Sequence, residues 1–117
     1  MTEAIISCAI EVHRILGPGL LESIYEEALC HEFIIRNISF ERQKEIDVVY
    51  KNKVIKGQRL DLVVENQAVV EIKAVKVMPD VFTAQVLSYL KSTGLKRALL
   101  INFGAQKLVS GIKRLSL

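Results

Sequence analysis

The sequence predicts a three-layer α/β domain with a mixed sheet and the element order ααβββαβ(β). Three observations carry this. Apolar residues recur at helical spacing up to Asn37. From Ile38 to Val75 the period is that of strands. One further helical segment then precedes a continuous apolar run, "RALLINFG".

Each element follows in order. In "TEAIISCAIEVHRILGPG" the stripe is Ile6, Ala9, Ile10, His13 and Leu16, and Gly17-Pro18-Gly19 ends the helix. In "LLESIYEEALCHEFIIRN" the stripe is Leu21, Ile24, Tyr25, Ala28, Leu29 and Phe33, with Asn37 as terminator. "SFERQKEIDVVY" reads as a strand, "KNK" at 51–53 as a turn, and "VIKGQRLDLVVE" as a second strand with a bulge or bend at Gly57. "AVVEIKAV" is the third strand. Pro79 breaks the chain, and "DVFTAQVLSYLKST" is a helix closed by Gly94. "RALLINFG" is a buried strand, and "KLVSGIKRLSL" supplies one more short strand.

The 117 residues suit a single domain, 1–117, and 50% hydrophobic content supports a core. No apolar run reaches the roughly 18 residues that span a bilayer, so no membrane partner is expected. The start of the chain lacks the basic n-region of a secretory signal, and a cytoplasmic location is expected. Cys8 and Cys30 read as buried small hydrophobes, without the spacing of a zinc site. Charge is uneven: residues 1–40 carry −4 and residues 41–117 carry +7. A basic C-terminal two-thirds is compatible with a polyanionic partner.

The hairpin "DLVVENQAVVEIKAV" carries the chemistry. Asp61, Glu71 and Lys73 interrupt an otherwise apolar strand pair. All three numbers are odd, so they share a face only if the turn preserves parity. A two-residue turn at Asn66-Gln67 would split them. A three-residue loop at 66–68, or an equivalent bulge, would set Asp61 opposite Lys73 and Val63 opposite Glu71. The other face is then Leu60, Leu62, Val64, Val70, Ile72 and Ala74, which packs on a helix. A structural ion pair through Lys73 explains one carboxylate and leaves the other unpaired, which is costly when buried. A divalent cation accommodates both: Asp61, Glu71 and the Ile72 carbonyl offer hard oxygen ligands for Mg²⁺ or Mn²⁺.

Asp61 followed by Glu71-Ile72-Lys73 resembles the D-x(n)-(D/E)-x-K core of the PD-(D/E)XK nuclease superfamily, the restriction-endonuclease-like fold. "GLLESIY" at 19–25 resembles the G-x-x-E-x-x-Y signature of the GxxExxY protein family within it. "QVLSY" at 85–89 resembles the Q-x-x-x-Y motif of the RecB-like branch, and "GLKRALLINFG" resembles the family's closing strand. Leu60 stands where the superfamily's nominal proline would precede the first Asp.

The resemblance implies a metal-dependent nuclease that hydrolyses phosphodiester bonds, with DNA favoured over RNA and with 5′-phosphate products. It implies that Asp61, Glu71, the Ile72 carbonyl and Glu22 hold Mg²⁺ or Mn²⁺, and that Lys73 orients or deprotonates the attacking water. Gln85 and Tyr89, spaced i, i+4 on one helix face, are expected beside the same site. Gln85 would hold a phosphate or a ligating side chain. Tyr89, Tyr25 and Arg59 are the expected substrate contacts. Arg42 to Arg59 and the Lys96-Arg97 pair would hold the nucleic-acid backbone without reading bases. His13 and His31 read as packed or solvated. A non-catalytic nucleic-acid-binding or interaction module on the same scaffold is the alternative, disfavoured by clustered acids facing a polyanion. A homodimer is compatible with cutting both strands.

Overall fold

The computed structural model describes residues 1–117. Helices α1 (Thr2–Leu16) and α2 (Glu22–Ile35) precede strands β1 (Phe40–Tyr50), β2 (Lys53–Val64) and β3 (Ala68–Lys73). Helix α3 (Asp80–Thr93), β4 (Arg97–Asn102), a 3₁₀ turn (Leu108–Gly111) and β5 (Ile112–Ser116) follow. The five strands form one mixed sheet in the order β1-β2-β3-β4-β5. Only β3 and β4 run parallel, and α3 connects them. The predicted order holds, and the chain's tail forms the antiparallel edge strand β5.

The sheet has helices on both faces. Leu62, Val64, Val70, Ile72, Leu99 and Ile101 pack against α1 and α2, where Ile5, Ala9, Leu29 and Phe33 meet them. Val63, Val69, Ala98 and Leu100 pack on the other face against Val86, Tyr89 and Leu90 of α3. Cys8 and Cys30 are buried and free, as expected of small apolar side chains. Gly94 ends α3 at φ 77, a left-handed cap that glycine adopts without steric cost.

Two stripes differ from the expected ones. In α1 the buried residues are Ile5, Cys8, Ala9 and Val12, while Ile10 is exposed. Apolar residues occupy more than one side of this helix, so periodicity alone does not select the face. In α2 the stripe keeps Tyr25, Leu29 and Phe33 but turns toward Glu26 and Cys30, leaving Leu21 and Ile24 exposed.

A third difference shapes the site. Leu60 packs with the α3 layer, whereas Leu62 packs with α1 and α2. On β1, Phe40 and Ile46 divide between the layers in the same way. The reversal lies where pairing skips from Arg42↔Leu62 to Lys44↔Leu60. Between them Gln43 adopts φ 49, a left-handed conformation that interrupts the pleat opposite Asp61. Strict alternation therefore fails at Asp61 itself.

Candidate active site

The turn between β2 and β3 is the three-residue loop Glu65-Asn66-Gln67. Glu65 and Asn66 take φ 53 and 55, and Gln67 N–H donates to the Val64 carbonyl at 3.0 Å. The loop is odd, as the parity argument requires, but begins one residue earlier than expected. Val64 pairs with Ala68 and Leu62 with Val70. Continuing that register places Asp61 across from Glu71, not from Lys73, and Val63 across from Val69. The local hydrogen bonds available to residues 65–67 decide this, and composition does not encode them.

The β2–β3 ladder ends at Leu62/Val70. Beyond it, two side chains take over the backbone's work. The Glu71 Oε1 accepts from the Asp61 N–H at 2.7 Å, and the Asp61 Oδ2 accepts from the Ile72 N–H at 2.8 Å. Each carboxylate thus fixes the opposite strand while keeping its second oxygen outside these bonds. The buried N–H groups are satisfied, and the two acids are held side by side.

Their neighbourhood raises the cost of charge. Glu71 is 3% exposed. Burial first, and the Asp61 carboxylate second, push its pKa up to about 8. Tyr89, on α3, is pushed up to about 12 by burial and by Glu71 and Asp61. Glu22, at the start of α2, is raised by desolvation, with Asp61 and Glu26 adding to the effect and Lys73 opposing it. Lys73 makes no ion pair with any carboxylate. Its Nζ lies 4.3 Å from the centroid of the Phe82 ring on α3, a cation–π contact. The structural ion pair considered from the sequence is therefore absent.

An open cleft of about 500 Å³ leads to Asp61, lined by Leu21, Glu22, Ser23, Glu26 and Gln43. Glu26 and Gln43 are absent from the set expected from the sequence. Glu26 is 8% exposed. It accepts from Arg42 Nε and Nη2 at 3.1 and 2.9 Å and from Gln43 Nε2 at 3.0 Å. Glu26 lies one helical turn from Glu22, so the i, i+4 rule was a usable signal. The left-handed backbone of Gln43 has no signal in the sequence.

The remaining expected residues divide. Tyr25 has no exposed surface. It stacks on Phe103 at 4.7 Å, donates to the Gly17 carbonyl and accepts from the Leu20 N–H at 3.1 Å. It fastens the loop before α2, and its burial removes it from direct contact with a substrate. Gln85 is exposed and makes no side-chain hydrogen bond, while Tyr89 is buried. Arg59 is exposed on β2, two residues from Asp61. The strand end bearing Lys73 is secured by Asn102, itself 4% exposed. Its amide accepts from Val75 N–H and Gly104 N–H, each at 3.0 Å, and donates to the Val75 carbonyl at 2.9 Å.

No three acidic, histidine or cysteine groups converge into a ready metal cage. Glu22 lines the same cleft as Asp61, on its wall beside Glu26. The donor chemistry still suits a hard cation: two adjacent carboxylates with free oxygens, unpaired with any base and repelling one another. No helix is long and apolar enough to cross a membrane.

Neither curated proteins nor solved structures yield a match to this chain. A family model described as the PD-(D/E)XK nuclease superfamily matches residues 1–115. With nearly its whole length matched, and with a mixed sheet between helical layers, the chain belongs to the PD-(D/E)XK nuclease superfamily.

Proposed function

We propose that this protein is a divalent-cation-dependent nuclease that hydrolyses phosphodiester bonds of DNA, through Asp61, Glu71 and Lys73. The superfamily implies a nuclease-type function on nucleic acid and generally uses divalent metals. The observation that carries the reading is the Asp61–Glu71 pair, held side by side with no base in ion-pair range and followed on β3 by Lys73.

Asp61, Glu71 and the Ile72 carbonyl would hold Mg²⁺ or Mn²⁺, with Glu22 approaching from the cleft wall. A cation bound there neutralises phosphoryl charge and acidifies water. Lys73, free of a carboxylate partner, swings from Phe82 to orient the attacking water and offset charge developing on the phosphorus oxygens. Glu26, Arg42 and Gln43 hold the strand kink at Asp61. Gln85 and Arg59, both exposed, are left for phosphate contacts. Tyr89 walls the acids from the α3 side. A homodimer would present one such site to each strand of a duplex, and it belongs to the proposal.

The test is a cleavage panel with Mg²⁺ and with Mn²⁺ over single-stranded, duplex and branched DNA and RNA. Metal-dependent cleavage that Glu71→Ala abolishes is expected. No cleavage of any substrate, or equal cleavage by Glu71→Ala, overturns the proposal.

A further inference from the structure

The β1–β2 hairpin is longer than the domain needs. Strand β3 reaches β2 only at Leu62–Val64, so Lys53–Leu60 has β1 on one side and no strand on the other. β1 is itself the edge of the sheet. Ile46 and Leu60 root this ribbon against α3, and every residue from Asp47 to Gly57 is exposed. The arm runs eight residues from Asp61 to Lys53, about 26 Å at strand rise, in a molecule whose longest extent is 47 Å. A free two-stranded ribbon is marginal in water and leaves both edges unpaired.

Its surface indicates what accompanies it. Across the arm, residues 45–60, four basic residues, Lys51, Lys53, Lys56 and Arg59, outnumber two acids, Glu45 and Asp47, and all four bases lie on the stretch from Lys51 to Arg59. Only Lys56 has a carboxylate partner, Asp47, at 2.7 Å across the ribbon. Among these cations Val49, Tyr50 and Val54 stand 65%, 61% and 50% exposed. A bulge at Lys56-Gly57, with Gly57 at φ 106, adds local twist.

We infer that the β1–β2 arm is a duplex-DNA grip, a ribbon that lies in the major groove with its lysines on the flanking phosphates. A two-stranded ribbon fits the major groove of B-form DNA, about 12 Å wide. The deep, narrow major groove of duplex RNA excludes it, and a single strand offers no groove walls. A second copy of this chain is the less favourable occupant, because arm-to-arm pairing juxtaposes two ribbons that each carry four bases against two acids. The arm begins at Asp61, so a gripped duplex passes beside the acidic pair. This inference rests on the nuclease reading and deepens it by naming the substrate's form.

The test is fluorescence anisotropy in EDTA with a DNA duplex, its single strand and the matching RNA duplex. Wild type is compared with the double variant Lys51→Ser/Lys53→Ser and with Val49→Thr. Two lost phosphate contacts at a salt slope of about 0.9 each lower the slope by about 1.8, and duplex-DNA affinity on the order of 50-fold at about 0.1 M salt. Single-strand and RNA-duplex binding should change less than about twofold. Val49→Thr should weaken duplex-DNA binding without altering the salt slope, since it removes an apolar contact and no charge.

Wild-type duplex affinity in the double variant overturns the inference, as do equal losses for single strand and duplex. A monomer–dimer shift by sedimentation, with duplex binding unchanged, assigns the arm to a second copy and also overturns it. Glu71-dependent cleavage together with an indifferent arm refutes only the grip. Absence of both cleavage and nucleic-acid binding in wild type refutes the nuclease reading as well.

Discussion

Replacing Asp61 by asparagine should stabilise the metal-free protein at alkaline pH. The amide oxygen still accepts from the Ile72 N–H, and the Asp61 backbone N–H still reaches Glu71, so the geometry survives. What disappears is a negative charge beside a buried carboxylate. Raising Glu71 from 4.5 to about 8 corresponds to about 5 kcal/mol against its ionised form. Burial is the larger cause and the Asp61 charge the second, so removing that charge relieves only part of this. At pH 9 the Asp61→Asn variant should gain about 1–2 kcal/mol, or about 4–8 °C in Tm.

The pH dependence has a definite sign. The folded chain keeps the Glu71 proton between 4.5 and about 8, where the unfolded chain has released it. Stability therefore falls as pH rises through that window. Asp61→Asn should flatten the fall, Glu71→Gln should remove it, and near pH 5 Asp61→Asn should change little because Glu71 is then neutral. Metal adds a second readout. About 10 mM Mn²⁺ stabilises wild type by about 1.4 kcal/mol if its Kd is about 1 mM, and Asp61→Asn should lose most of that gain. The assay is thermal unfolding of both proteins at pH 5, 7 and 9, in EDTA and in Mn²⁺. An Asp61→Asn variant destabilised by about 3 kcal/mol at every pH, as for a broken buried pair, with a metal-indifferent wild type, would refute the reasoning.

Lys73→Ala should lower cleavage by about 10²-fold or more while the Mn²⁺-dependent Tm rise persists, since an ammonium is no ligand; unchanged turnover removes Lys73 from the chemistry. Asn102→Ala should cost about 2 kcal/mol in urea unfolding, because it strands partly buried backbone groups of Val75 and Gly104. Gln43→Val should cost about 2 kcal/mol or more, since a β-branched residue resists φ 49 and loses the bond to Glu26, whereas Gln43→Asn, which tolerates φ 49 but shortens the reach to Glu26, should cost about 1 kcal/mol in the same assay. Tyr25→Phe should cost about 1 kcal/mol through the two hydrogen bonds that hold the loop before α2, and enhanced proteolysis at Gly17–Leu20 is the independent check.

The order of elements was legible in the sequence, because helix and strand periods are written in nearest-neighbour spacing. So was the anomaly of Asp61, Glu71 and Lys73, because charge among valines and isoleucines is visible without coordinates. Parity also tied a shared face for the three residues to a hairpin loop of odd length. The tertiary structure decided what local spacing does not encode. The register was set by hydrogen bonds of residues 65–67, which moved Asp61 from Lys73 to Glu71. The face of Leu60 was set by a left-handed backbone at Gln43 on another strand, fixed through Glu26 on a helix. The interior position of Tyr25 was set by Phe103, 78 residues away in the chain. Such long-range partners act through packing and hydrogen bonds that form only when the layers meet, so no window of sequence contains them.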